Sequence, residues 1–276
     1  MRYYTSFVYS TICRLIVSVL IVISLSSCGE MSRESRIKSF DELRNLKKIA
    51  LCNCSINSEY TIGSGEDQKS KKNFSAVKTF GTLQLYFLYN LFKTKTSPSI
   101  LDLDLMIQLK KYRELKFESS YLRENKGVLS WLSKEPEFVS PIDGFGAINL
   151  SPANAGKLCE ALGVNAILSI EAGYNLDSEA NIPFTKPNWW ANCKIESALF
   201  SSGGELIWKY DFDAKSPLKQ KAQESTNILI YSSSSISGEQ SFELVKSVAE
   251  LSSKKLIDTL YADLDFSKKS QTLSSR

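Results

Sequence analysis

"LSPANAGKLCEALGVNAILSIEAGYNL", residues Leu150–Leu176, decides the fold class. Ser151 suits an N-cap and Pro152 the first helical position. Leu158 and Leu162 fall on one side of the turn that follows, and Gly163 supplies a helix stop. The pattern then changes to alternation. Val164, Ala166, Leu168, Ile170, Ala172 and Tyr174 share one face, and Asn165, Ser169 and Glu171 share the other. A helix feeding a strand with one apolar and one partly polar face implies an α/β (α+β) domain, with a mixed or antiparallel sheet flanked by helices.

Downstream, "ANCKIESALFSSGGELIWKYDF" reads as two β runs joined at Ser201–Gly204, with Leu206, Trp208, Tyr210 and Phe212 on one face of the second. "TNILIYSSSS" reads as a further β run. Ser237 and Gln240 have the spacing of a capping box for a last helix carrying Phe242, Val245, Ala249, Leu256 and Leu260 on one side. The polar "SKKSQTLSSR" reads as a disordered tail over 267–276.

Upstream, "KKIALCNCSINSEYTI" has strand character, with Cys52 and Cys54 on the face of Ala50 and Ile56, and "GSGEDQKSKKN" reads as a mobile loop. "FSAVKTFGTLQLYFLYNLFK" has helical spacing at Phe74, Val77, Gly81, Leu85, Leu88 and Phe92. Its other side carries Phe80, Tyr86 and Leu91, so a well-buried helix is expected. "TSPSILDLDLMIQ" reads as a helix capped by Ser99 with Asp102 in its first turn, although its alternation also suits a strand. Residues 128–149 are irregular, with a short strand at "EFVS". A single domain over 47–266 is expected.

The formal charge is +4, and no histidine occurs anywhere in the chain. Near-neutrality gives no basic footprint for nucleic acid. Without histidine there is no Ser-His-Asp or Cys-His nucleophile, no imidazole metal ligand and no imidazole base. "CNC" plus two isolated cysteines does not match the paired CxxC of a tetrathiolate zinc site, and "GSGEDQKSKK" and "DGFGAIN" lack the spacings that cradle phosphates or dinucleotides. No metal or cofactor is implied. Adjacent same-face positions on one strand lie near the upper limit of disulfide separation, which argues against a Cys52–Cys54 bridge; a Cys159–Cys193 bridge is left open.

Two basic residues, Arg2 and Arg14, precede an uncharged apolar run from Leu15 to Leu25. Eleven residues are too few to span a bilayer, which takes ~20. A basic start, a short apolar stretch and small residues is the layout of a secretory signal. Leu25-Ser26-Ser27-Cys28 resembles the lipobox of bacterial lipoproteins. That resemblance implies a signal peptide over 1–27, acylation of Cys28 as the first mature residue, and membrane attachment through it. Removing Arg2 and Arg14 from the formal +4 leaves +2. Gly29 stands where many enteric inner-membrane lipoproteins carry Asp, so the resemblance implies the outer membrane, facing the periplasm. Residues 28–46 then form a short tether ending in a helical turn.

The order helix, "ALGVNAILSIEAGY", hairpin, "SSGGELIWKY" resembles a group of envelope domains: the curli-secretion lipoprotein, the lipoprotein activators of penicillin-binding proteins, and the amino-terminal domain of TolB. Leu162, Gly163, Val164, Ala166 and Leu168 match the group's helix-stop-and-strand element; Gly204, Glu205, Leu206, Ile207 and Trp208 match its later strand. Asn165 stands where the group often has Asp. The resemblance covers roughly residues 147–215 and implies a non-catalytic partner-binding role, toward another envelope protein or a second copy.

Two other functions are weighed beside it. A hydrolase without histidine needs facing carboxylates, and Asp102/Asp104 and Asp211/Asp213 are the available pairs. The first pair is equally explained by a helix first turn, and the second by a solvated strand face. A small-ligand-binding lipoprotein is the other. Trp189 and Trp190, with Phe184 nearby, form either an exposed aromatic interaction surface or a cover over the sheet's end. No catalytic residue is assigned.

Overall fold

In the computed structural model, the Leu150–Leu176 stretch becomes a helix, a stop and the strand about which the domain is organised. The structure describes residues 36–57, 59–62, 69–72, 74–109, 112, 138–139, 141, 152–179, 187–221 and 237–274. The chain divides into two units, Met1–Lys38 and Ser39–Arg276, and the fold is that of the second. In chain order its elements are α1 (Phe40–Arg44), β1 (Lys48–Asn57), β2 (Glu59–Ile62), β3 (Lys69–Lys72), α2 (Phe74–Lys93), β4 (Ser99–Ile100) and α3 (Leu103–Gln108). They continue with β5 (Phe138–Val139), α4 (Pro152–Leu162), β6 (Ala166–Ser178), β7 (Asn188–Ser201), β8 (Leu206–Lys215), β9 (Gln220–Lys221) and α5 (Gly238–Ser274).

Helix α4 ends as its sequence requires. Gly163 takes φ +63°, Gly163 N–H donates to Glu160 O at 3.3 Å and Val164 N–H to Cys159 O at 3.1 Å, the paired bonds of a Schellman stop. Asn165 then locks the strand in place: its Oδ1 accepts from the N–H groups of Lys47 and Lys48 at 3.3 and 3.0 Å, and its own N–H donates to Lys48 O at 2.9 Å.

Strand β6 runs parallel to β1 and antiparallel to β7, while β2 continues along β6 beyond β1. Outside them, β4 is parallel and β5 antiparallel to β1, β3 is antiparallel to β2, and β8 and β9 are both antiparallel to β7. The sheet is therefore mixed and the class α+β, as the alternation implied. Positions Ile49 to Ile56 of β1 are all buried, as befits a strand covered on both faces, whereas β6 and β7 alternate. The β7–β8 hairpin turns at Ser201–Gly204: Gly204 N–H donates to Ser201 O at 2.9 Å, Ser201 N–H to Glu205 O at 2.8 Å, and Gly204 adopts φ +83°.

The inner face of the sheet carries the long helices α2 and α5. The Ser237/Gln240 capping box forms reciprocally, each backbone N–H bonded to the other side chain at 3.2 Å. Under the helices lies a buried polar knot. Gln84 Oε1 accepts from Tyr174 OH at 2.5 Å and Ser252 Oγ at 3.1 Å, and Gln84 Nε2 donates to Ser253 Oγ at 2.6 Å.

Five expectations are corrected. Lys69–Lys72, expected within a loop, pairs with β2 as β3. Ser99 is a strand residue beside Lys48, and the cap of α3 is Asp102, whose Oδ1 accepts from Asp104 and Leu105 N–H at 3.0 and 3.4 Å. The polar stretch expected as a disordered tail over 267–276 continues α5 through Ser274; it holds no glycine or proline, Ser267 is buried, and the Phe266 ring lies 6.2 Å from that of Phe40. The side of α2 carrying Phe80, Tyr86 and Leu91 is buried only in part: Phe80 is buried, whereas Tyr86 is 61 % exposed. A register shift between Leu51 and Asn53 places Ala50 opposite Ile167 but Ile56 opposite Ala172, so Ala50 and Ile56 lie on different faces. The "TNILIYSSSS" run lies outside the described residues.

Candidate functional site

Trp189 and Trp190 are neighbours on β7, and a strand sends neighbouring side chains to opposite faces. Trp189 points inward and is buried at 5 % exposure, so it covers the sheet's end rather than contributing an exposed surface. Trp190 lies half-exposed on the outer face, opposite Asp177 of β6. Phe184 and Cys28 lie outside the described residues.

Around Trp190 the ladder assembles polar side chains from three strands. Asn192, two residues along β7, donates from Nδ2 to Asp177 Oδ2. Glu179, just past the end of β6, accepts at Oε2 from Asn188 Nδ2 at 2.9 Å. Lys215, at the end of β8 and in register with Asn192, sets its Nζ 3.8 Å from the centre of the Trp190 ring, a cation–π contact. Lys219 Nζ lies 5.9 Å from that ring and 3.6 Å from Glu179 Oε1. Burial raises the Asp177 carboxyl, opposed by the Asn192 hydrogen bond and the Lys215 charge. The Asn188 hydrogen bond is the main influence lowering that of Glu179.

The carboxylate pairs singled out in the sequence do not form such a cluster. Asp102 is occupied as the α3 cap, and Asp104 follows in the first turn. Asp211 pairs with Lys209 at 2.7 Å on the outer face, where Asp213 is exposed as well.

Cys52, Cys54, Cys159 and Cys193 are free and buried, so no Cys159–Cys193 bridge is present. Burial pushes Cys54, Cys159 and Cys193 up to about 12, and Cys52 well above its ordinary value. Thiols so held are neither nucleophiles nor ready metal ligands at neutral pH. Among the described residues no group of three or more acidic or thiol side chains is placed to hold a metal, and no helix is long and apolar enough to cross a membrane.

Sequence reasoning reached Trp190 but missed Asp177, Glu179, Asn188, Asn192 and Lys215. Their parity was legible in "YNLDSE" and "NWWANC"; the register that sets Asp177 against Trp190 was not.

No family model matches the chain, and no curated protein matches it. Among solved structures, the hypothetical protein CT253 from Chlamydia trachomatis is similar at 14% identity, over 79% of this chain and 94% of that one, with a TM-score of 0.27.

Proposed function

We propose that this chain is a bacterial envelope lipoprotein, held at a membrane by acylated Cys28, whose folded unit works by binding rather than by catalysis. The observation that carries this reading is the Leu25-Ser26-Ser27-Cys28 run directly after an apolar stretch too short to span a bilayer. Diacylation of the cysteine gives stable anchorage, since each buried CH2 contributes ~0.8 kcal/mol and one chain alone holds only marginally. Gly29 favours the outer membrane, facing the periplasm. The binding role is supported by the lack of histidine and by the structural occupations of Asp102 and Asp211. The partner is another envelope protein or a second copy of the chain, with the protein acting as an assembly or regulatory accessory.

Crosslinking in living cells, followed by capture through a carboxy-terminal tag, tests this role by comparing the native chain with Cys28→Ala. One or a few envelope proteins, or the chain itself, recovered only with the native form is the expected result. The same recovery from both forms, or a murein- or glycoside-cleaving activity in the purified chain, would overturn it.

A further inference from the structure

We infer that Trp190, with the amide and carboxylate pairs Asn192/Asp177 and Asn188/Glu179 beside it, is a saccharide-binding subsite. The inference rests on side chains of the sheet alone and stands apart from the anchored-accessory reading.

A pyranose ring offers two chemistries at once, an apolar face of C–H bonds and an equatorial rim of hydroxyl groups that both donate and accept. The half-exposed indole of Trp190 supplies a flat apolar face. The hydrogen bonds Asn192 Nδ2 to Asp177 Oδ2 and Asn188 Nδ2 to Glu179 Oε2 fix four planar groups in position before any ligand arrives. The Asn192/Asp177 pair keeps its amide oxygen and second carboxylate oxygen to accept and its second amide N–H to donate, whereas Glu179 Oε1 already faces Lys219 at 3.6 Å, so the second pair offers the Asn188 amide oxygen and second N–H. Acceptors and a donor side by side are what vicinal hydroxyl or acetamido groups need. Because these groups are already fixed, less conformational freedom is lost on binding.

Lys215 occupies the ring face in the structure, with its Nζ 3.8 Å from the centroid. Its side chain is exposed and flexible, so a sugar ring can displace it. The charges also separate this ligand from an anionic surface. Asp177 and Glu179 offset Lys215 and Lys219, with Lys219 3.6 Å from Glu179, which leaves only the charge of Lys221, in register with Asn188, and so no strong positive field. Ser39 N–H bonds to Ile207 O at 3.2 Å near the start of β8, whereas Lys215 ends that strand about 27 Å away at the usual rise per residue. The cluster therefore sits at the end of the sheet remote from Ser39, where this unit begins.

The test titrates the full chain in detergent micelles with chitotetraose, cellotetraose and maltotetraose, following the Trp190 indole N–H resonance, assigned through Trp190→Phe, together with the heat of binding. A saturable shift with at least one oligosaccharide, at a dissociation constant on the order of 1 mM or tighter, is expected. Trp190→Ala should weaken it about tenfold or more, with an unchanged thermal midpoint. Should Trp190→Ala fail to fold, Asp177→Ala carries the same comparison. The proposal falls if none of the three sugars gives a saturable shift, or if binding survives Trp190→Ala undiminished. It also falls if phosphatidylglycerol vesicles alone move the Trp190 resonance.

Discussion

Trp208 Nε1 donates to the carboxylate of Asp263 at 3.0 Å, with both side chains fully buried, and so ties strand β8 to helix α5. A buried indole N–H needs a partner, and the Asp263 side chain supplies it. Replacing Asp263 by Ala leaves that donor unsatisfied. Asp263→Ala is expected to lower unfolding free energy by about 2 kcal/mol, with Asp263→Asn losing less. Urea denaturation measures both.

Gln84 is fully buried between α2, α5 and β6, and its amide satisfies Tyr174, Ser252 and Ser253 together. Gln84→Leu matches its size but removes a partner from each of three buried hydroxyl groups, leaving Ser252 its bond to Ala249 O and Ser253 its bond to the backbone O of residue 84. The expected loss is about 3 kcal/mol, larger than for Tyr174→Phe, which removes a single hydroxyl from the knot. Paired chemical denaturation curves decide the order.

Gly81 on α2 is set by packing rather than by backbone angle. A Cβ there would meet Ile56 Cγ1 at 2.6 Å and Pro141 Cβ at 3.0 Å. Gly81→Ala is therefore expected to destabilise by roughly 1–3 kcal/mol despite the better helix propensity of alanine. Gly163 presents the opposite case: nothing lies within 4 Å, but φ is +63°, so Gly163→Ala is strained by about 1 kcal/mol. Gly81→Ala should cost less in an Ile56→Ala background, which lacks the Cγ1 it meets, whereas Gly163→Ala should cost the same in both backgrounds, as thermal unfolding of the double variants would show.

The buried thiols fix the alkaline behaviour. Cys54, Cys159 and Cys193 are raised from 9.0 to about 12, and Cys52 is raised too. Each raised group stabilises fully below its unfolded value, and that stability is lost as pH climbs from about 9 toward about 12, because the unfolded chain then ionises while the folded one does not. Four such groups give a fall of up to about 5 kcal/mol per pH unit. The urea midpoint should hold steady up to about pH 8 and drop steeply above about pH 9. Peptide mapping after thiol labelling near neutral pH should find all four unmodified.

The central helix, strand and hairpin were legible because their signals are local. Pro152 and Gly163 mark the ends of α4, strict alternation marks β6, and the Gly204 turn closes β7 on β8. What escaped was non-local. Lys69–Lys72 has no intrinsic strand preference and becomes one by pairing with β2. Ser99 lost the cap to Asp102 because Lys48 holds it in a ladder. The last turns of α5 read as polar, yet Ser267 is buried and donates to Leu264 O at 2.7 Å. The cluster at Trp190 was hidden for the same reason, since cross-strand register brings Asp177 to it and no spacing in the sequence records register.

Acylation of Cys28 is the claim on which the proposed role depends. Cells expressing the tagged chain are fed labelled palmitate, and the purified protein is assayed for label and for membrane sedimentation beside Cys28→Ala. Label and membrane association are expected for the native chain and neither for Cys28→Ala. An unlabelled native chain, or a Cys28→Ala variant that still carries palmitate and sediments with membranes, would contradict it.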